Sequence, residues 1–235
     1  SPEPHIHFQV QSTPYVGSKT LDHPLAYYLL RTKEGMEFHS FDRPLEGHTI
    51  SNITINKLMK NAYGMIPGLR MNITGNEEEC KWEVFTDAYN LTYIFCHKTK
   101  AIAYFVNNGT LVYFTEFYGD RSSLLYKYYL CNYKVLLGYY QNLEISDKLP
   151  VDSIWTGWKK GLLDLASPFY PVVKASYKLQ FTDMDDSMEP LWIRFSTELE
   201  ISVLGRSRKV MTCQVEVGEK GIDSFTIIEN DTLIK

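Results

Sequence analysis

The sequence predicts an α+β chain in two parts. Residues 1–146 read as a platform, an antiparallel sheet with two overlying helices, and residues 151–235 as a β-sandwich. Three observations predict it. Aromatic and β-branched residues alternate in short runs through most of the chain. Two stretches, 50–65 and 120–143, instead repeat apolar residues every third or fourth position. Beyond Pro150 only short strand-like runs remain.

Taken in order, residues 5–13 alternate side to side as a half-buried strand does. Leu25–Leu30 reads as a second strand, and the polar turn from Thr32 to Gly35 returns the chain through Met36–Phe41 as a hairpin. Within Ile50–Met65, the positions of Ile53, Ile55, Leu58 and Met59 predict a helix that Pro67-Gly68 closes. Four aromatic and β-branched runs follow, Lys81–Phe85, Leu91–Cys96, Ala101–Val106 and Leu111–Glu116, separated by polar turns in the manner of a meander. Leu124, Leu125, Tyr128, Tyr129, Tyr133, Leu136 and Leu137 then predict a second helix from about Asp120 to Leu143.

The boundary falls at Asp147–Pro150. After it, Ser176–Phe181, Leu191–Ser196, Leu199–Leu204, Val210–Val217 and Phe225–Glu229 are strands at a spacing that suits two packed sheets.

Composition and processing signals bear on function. Five of the eleven asparagines sit in N-x-Ser/Thr sequons: Asn52, Asn72, Asn90, Asn108 and Asn230. Chance would place roughly one or two there, so the five are candidate glycosylation sites and point to an extracellular or cell-surface location. Ser1-Pro2-Glu3-Pro4 resembles a mature N-terminus. No run reaches the roughly 18 apolar residues that cross a bilayer. A net charge of −4 argues against a nucleic-acid partner.

Nothing in the chain points to catalysis. There is no G-x-S-x-G elbow, no phosphate-binding G-x-x-x-x-G-K-[ST] loop, no H-E-x-x-H helix and no C-x-x-C. No cofactor is expected. His5 and His7 face one way on a strand but lack a third ligand, so they read as surface or sheet-floor histidines. The run from Asp183 to Asp186 lacks the glycine and closing glutamate of a calcium loop and reads as a solvated turn. Arg206–Lys209 reads as a charged hairpin tip.

Tyrosine is the more informative residue. Tyr126, Tyr128, Tyr129, Tyr133, Tyr139 and Tyr140 crowd the second predicted helix, more than one face can bury. Tyr126, Tyr133 and Tyr140 recur every seventh residue and share one stripe, which makes them candidate partner contacts. The competing reading packs the tyrosines on the sheet and fills the groove. The four cysteines, Cys80, Cys96, Cys131 and Cys213, suit one or two bridges in a core that mostly holds itself. Cys80 and Cys96 fall almost opposite each other around the Asp87-Ala88 turn, which allows a cross-strand bridge.

Several short stretches resemble the MHC class I heavy chain. Ser167-Pro168-Phe169-Tyr170-Pro171 looks like the turn after strand B of its immunoglobulin domain, and Met211-Thr212-Cys213-Gln214-Val215 looks like its strand F. Glu37–Asp42 is similar to the third platform strand, and Cys131 to the helix cysteine bridged to the sheet floor. Asp164 stands near the strand-B cysteine position, and Tyr177-Lys178-Leu179 replaces the strand-C tryptophan. Trp192, Phe169 and Phe195 would then supply the sandwich core.

The resemblance implies an MHC class I-like α1/α2 platform on an immunoglobulin-like α3 domain. It also implies a Cys80–Cys131 disulfide, with Cys96 the other possible partner of Cys131, and a buried Cys213 thiol. Divergent, glycosylated chains of this kind are similar to the cytomegalovirus immunoevasins. The implied function is a viral decoy that binds a natural killer cell receptor or a host stress ligand, with no bound peptide and no reliance on beta-2-microglobulin. The alternative is a host non-classical class I-like protein holding a lipid or other small ligand in its groove.

Overall fold

A computed structural model describes residues 9–75, 78–154, 173–185 and 189–229. The chain forms two compact units, Ser1–Ile53 and Thr54–Lys235.

In the first unit, β1 (Val10–Gln11) pairs with β2 (Thr20–Leu21). A three-stranded antiparallel sheet follows, with β3 (Leu25–Arg31) between β4 (Met36–Asp42) and β5 (Thr49–Asn52). The β3–β4 hairpin turns where the sequence predicts. The Thr32 amide donates to the Gly35 carbonyl at 2.8 Å, and Gly35 takes a φ of 143° that a side chain would resist. Tyr28 stacks on its cross-strand partner His39 with ring centres 4.9 Å apart. Of the strand expected over 5–13, residues 5–8, including His5 and His7, lie outside the described residues, and Val10–Gln11 forms β1.

The second unit opens with α1 (Lys57–Ala62), β6 (Arg70–Gly75), β7 (Glu78–Thr86), β8 (Thr92–Cys96), β9 (Ile102–Asn107) and β10 (Leu111–Tyr118). Next come α2 (Leu124–Cys131), β11 (Lys134–Leu136), β12 (Glu144–Leu149), β13 (Val173–Met184), β14 (Trp192–Val203), β15 (Arg206–Gly218) and β16 (Gly221–Glu229). These strands make two antiparallel sheets, β11-β10-β9-β8-β7-β6 and β12-β13-β14-β15-β16. Each sheet buries alternate residues. Trp82, Val84, Ile94, Ala103, Phe105 and Phe114 face inward from the first, and Tyr177, Leu179, Phe181, Phe195, Leu199 and Cys213 from the second.

The helix α2 occupies this interior. Its Tyr128 ring lies 5.1 Å from Trp82 and 5.8 Å from Phe114 on the first sheet, and 5.7 Å from Phe225 on the second. Tyr177 on β13 donates its hydroxyl to the Cys131 carbonyl at 3.2 Å. Leu125, Tyr126, Tyr128, Tyr129, Leu130 and Cys131 are all buried, so the helix is apolar on nearly every side, as a core helix must be. Each such side chain contributes about 1.5–3 kcal/mol of burial energy.

This architecture corrects the predicted fold. An MHC class I-like platform needs two long helices over one sheet, and the described residues hold only a six-residue and an eight-residue helix. The β-branched run from Thr49 goes to β5, and α1 starts only where Asn56 accepts the Leu58 and Met59 amides on its side chain. The second helix ends at Asn132, whose amide group bonds the Tyr128 carbonyl and the Tyr63 hydroxyl. Beyond it, Lys134–Leu136 is an edge strand, with Leu136 opposite Leu111. Leu136 matched helical spacing only because both states bury it.

The predicted immunoglobulin-like sandwich is also corrected. Leu191–Ser196 and Leu199–Leu204 are one continuous strand, β14, and β13 to β16 lie side by side in one sheet. The facing layer is the six-stranded sheet with α2, not a second half of the same segment. β12 covers most of the expected boundary at Asp147–Pro150 and pairs with β13 from Glu144↔Gln180 to Leu149↔Ala175. Of the proposed sandwich core, Phe195 is buried and Trp192 is half-buried under the Arg194 guanidinium. Phe169, Asp164 and the turn at 167–171 lie outside the described residues.

Candidate interaction surface

The predicted tyrosine stripe does not form. Tyr126 lies on α2, is 1 % exposed, and donates its hydroxyl to the Ser153 carbonyl at 2.5 Å. It offers no surface to a partner. Tyr133 follows the helix and packs edge-on against Tyr129 and Tyr177. Tyr140 accepts the Thr54 amide on its hydroxyl at 2.6 Å, which fastens the loop before α1. Burial raises the pKa of Tyr126 and of Tyr133 to about 12 in each case. The groove between two long helices that would hold a lipid has no counterpart among the described residues.

Aromatic side chains gather instead on the outward side of the six-stranded sheet. Register places Phe85 opposite Tyr93, Tyr93 opposite Tyr104, and Glu83 opposite Phe95. Ring centres are 5.8 Å apart for Phe85–Tyr93, 6.2 Å for Phe85–Phe95 and 5.2 Å for Tyr93–Tyr104. Tyr118 extends the strip, 6.1 Å from Tyr104. A bulge between Phe114 and Phe117 makes this possible, because it keeps both phenylalanines inward and returns Tyr118 to the outer side opposite Ile102. The strand rings are half-buried, whereas Tyr118 is 55 % exposed.

Charged groups edge this strip. Glu83 accepts from Arg70 at 3.0 Å and lies 2.9 Å from His97; Arg70 first, then His97, holds its carboxyl below the usual range. Lys100 sits over Phe95 at 5.6 Å, and the Tyr104 hydroxyl donates to Asp87 at 3.3 Å. Hydroxyl-bearing rings beside ion pairs make an amphipathic surface suited to a protein partner. The sequence carried a signal for it. In β8 and β9 both alternating phases are apolar or aromatic, and Phe85 adds a ring to the otherwise charged phase of β7, so the outer side of this sheet does not read as a plain solvent face.

Four of the five candidate glycosylation sites are described, and all are exposed. Asn52 lies on β5 and Asn72 on β6; Asn90 lies in the β7–β8 turn with φ of 64°, and Asn108 in the β9–β10 turn. Asn108 accepts the Thr110 and Leu111 amides on its side-chain oxygen, which leaves its nitrogen for a sugar. Asn230 lies outside the described residues.

All four cysteines are buried. All four are free thiols, with Cys131 at the end of α2 and Cys213 on β15. Trp82, not Cys80, stands opposite Cys96, so Cys80 and Cys96 are diagonal neighbours across β7 and β8.

An open cleft of about 600 Å³ lies between the edge strands β6 and β16, with Asn72, Asp223, Trp82 and Tyr128 among its walls. Asp183 and Met184 end β13, and Asp185 accepts the Leu191 amide; no group of three or more potential metal ligands exists among the described residues. Arg206–Lys209 begins β15 just past the Leu204-Gly205 turn, at the tip of a hairpin. Among the described residues no helix is long and apolar enough to cross a membrane. Comparison with protein-family models, curated proteins and solved structures finds no match.

Proposed function

We propose that this chain is the extracellular part of a glycoprotein that binds a cell-surface protein through the outward face of its six-stranded sheet. The observation that carries the reading is the strip of rings from Tyr118 through Tyr104, Tyr93 and Phe85 to Phe95. Half-exposed aromatics backed by a rigid sheet supply contact area at small entropic cost. The exposed sequons at Asn90 and Asn108 sit in turns at the ends of the same strands, where sugars border the strip without standing on it. Their presence supports passage through the secretory pathway.

Natural killer cell receptors and their stress-induced ligands, the partners implied by the short class I-like motifs, form the first panel for the test. Soluble protein from mammalian cells is passed over immobilised members of the panel, beside a Tyr93→Ala/Tyr104→Ala variant. The expected result is a binder whose affinity falls at least about tenfold in the variant, near 1.4 kcal/mol. The variant's near-ultraviolet circular dichroism should be preserved apart from the two lost rings. A panel with no binder would remove the immune-decoy role. A binder indifferent to the double variant would remove this surface.

A further inference from the structure

We infer that the outward face of the six-stranded sheet carries its own cover. An N-linked glycan on Asn72 lies over the Phe95 end of the aromatic strip and leaves the Tyr104–Tyr118 end to the partner. The cover presupposes the extracellular reading. Strand register places it. β6 is the edge strand beside β7, and Asn72 stands opposite Lys81. His97 lies beside Lys81 and donates its amide to the Lys81 carbonyl at 2.9 Å. One row along, Arg70 stands opposite Glu83, and Glu83 opposite Phe95. Side chains two apart on a strand share a face. Asn72 and Lys81 therefore face the same way as Arg70 and Glu83, and His97 joins them, with its ring 2.9 Å from the Glu83 carboxylate. Asn90 and Asn108 leave from turns, whereas Asn72 leaves from the face itself. Its side chain is exposed, while Met71 and Ile73, on the other face, are half-buried.

Neighbouring strands run about 4.8 Å apart, so Lys81 is about 5 Å from Asn72 and His97 about 10 Å, with Phe95 one row further. The branched core of an N-linked glycan spans that distance. Tyr118 is four strands away, at about 19 Å, beyond the inner sugars.

The surface beneath suits a sugar. Arg70, with its side chain 80 % exposed, and the exposed Lys81 and His97 offer N–H donors to hydroxyl and N-acetyl oxygens. Lys98 and Lys100 follow His97 in the β8–β9 turn, with Lys100 over the Phe95 ring. Against these cations stand the carboxylates of Glu79 and Glu83, and Glu83 already serves Arg70 and His97. The corner thus draws in the sialic acids that end mammalian complex glycans. Tethering raises the local sugar concentration to about the millimolar range, so contacts too weak to hold a free sugar keep the cover in place. Attachment joins Asn72 Nδ2 to the anomeric carbon of the first sugar. The lipid pyrophosphate that carried the sugar leaves and takes up the proton lost from Nδ2.

The chain is secreted from mammalian cells as wild type, as Asn72→Gln and as Thr74→Ala, which keeps the asparagine but destroys its sequon. Occupancy of each sequon is read by mass spectrometry, and side-chain access by hydroxyl-radical oxidation. The wild type should carry sugar at Asn72. In both variants oxidation of His97 and Phe95 should rise by about threefold or more, as loss of a cover present most of the time requires. Tyr118 and the exposed Tyr89 should react equally in all three proteins. Sugar at other sequons with Asn72 bare, or His97 and Phe95 reacting in the variants as in the wild type, would overturn the cover and leave the extracellular reading standing. Bare asparagines at every sequon would remove both. A variant in which the buried Trp82 also reacts has unfolded. The decision then falls to folded wild type stripped of its N-glycans by a glycosidase, where the same gain at His97 and Phe95 must appear with Trp82 still silent, or the proposal fails.

Discussion

Tyr63 and Asn132 are both fully buried, and each satisfies the other: the tyrosine hydroxyl donates to the asparagine side-chain oxygen at 2.6 Å. The Tyr63 carbonyl also accepts the Asn107 side-chain amide at 3.1 Å, which ties the end of α1 to β9. Removing the hydroxyl strands a buried acceptor, and such groups cost far more than a surface bond is worth. Tyr63→Phe should therefore lower stability by about 1–3 kcal/mol in urea titration. Tyr104→Phe, whose bond to Asp87 is half-exposed and 3.3 Å long, should stay within about 0.5 kcal/mol. Equal losses in the two variants would mean that the buried pair is not what holds this corner. No sequence pattern announces it, because the partners stand 69 residues apart.

Among elements, β11 and β12 belong to different sheets, and one ion pair links them. Lys134 Nζ lies 2.6 Å from Asp147 Oδ2, with Lys134 buried and the Asp147 side chain 36 % exposed. The lysine is the partner that suffers when the pair breaks, since it cannot reach water without moving. Asp147→Asn should cost about 1–3 kcal/mol, whereas Lys134→Met, which removes the buried charge and keeps the bulk, should change stability by less than about 1 kcal/mol. Comparing the two midpoints in denaturant checks the asymmetry, and the reverse order would refute it. Strand existence was the legible part of these elements. The four aromatic runs between Lys81 and Glu116 coincide with β7 to β10 within a few residues, because alternation on a half-buried surface is a local property. The ends of the helices were not legible. Leu136 satisfies helical spacing, and only its distant pairing with Leu111 makes it part of a strand.

On the scale of the whole molecule, the interior is rich in tyrosine, and this sets its response to alkali. Burial raises Tyr126 and Tyr133 to about 12 and lifts Tyr63, Tyr128 and Tyr177 as well. Below about pH 10 the folded and unfolded chains both keep these protons, so there is no effect. Above it the unfolded chain releases protons that the folded chain retains. Stability is therefore lost as pH rises from about 10 towards 12, at up to about 1.4 kcal/mol per pH unit for each tyrosine held protonated. Denaturant midpoints between about pH 9 and pH 11 should fall with growing slope, in step with tyrosinate absorbance. A flat profile would show that the rings reach solvent. The sheet-level layout was the least legible feature of all. Five alternating runs after residue 170 look alike whether they fold into two sheets or one, because period two reports a face and not a neighbour. The candidate surface was half-legible: Phe85, Tyr93, Phe95 and Tyr104 alternate in plain view, but their alignment into a strip depends on register across two hairpins.

Asn72 stands near the middle of β6, the last strand of its sheet among those described, with its side chain exposed. A terminal strand is a template on which identical chains can polymerise, edge upon edge. A branched sugar hung from that strand makes the template unusable by sheer bulk. On the proposed extracellular reading, a sugar at the Asn72 sequon would guard the chain against fibre formation, and material made in a host that adds no sugar would go without it.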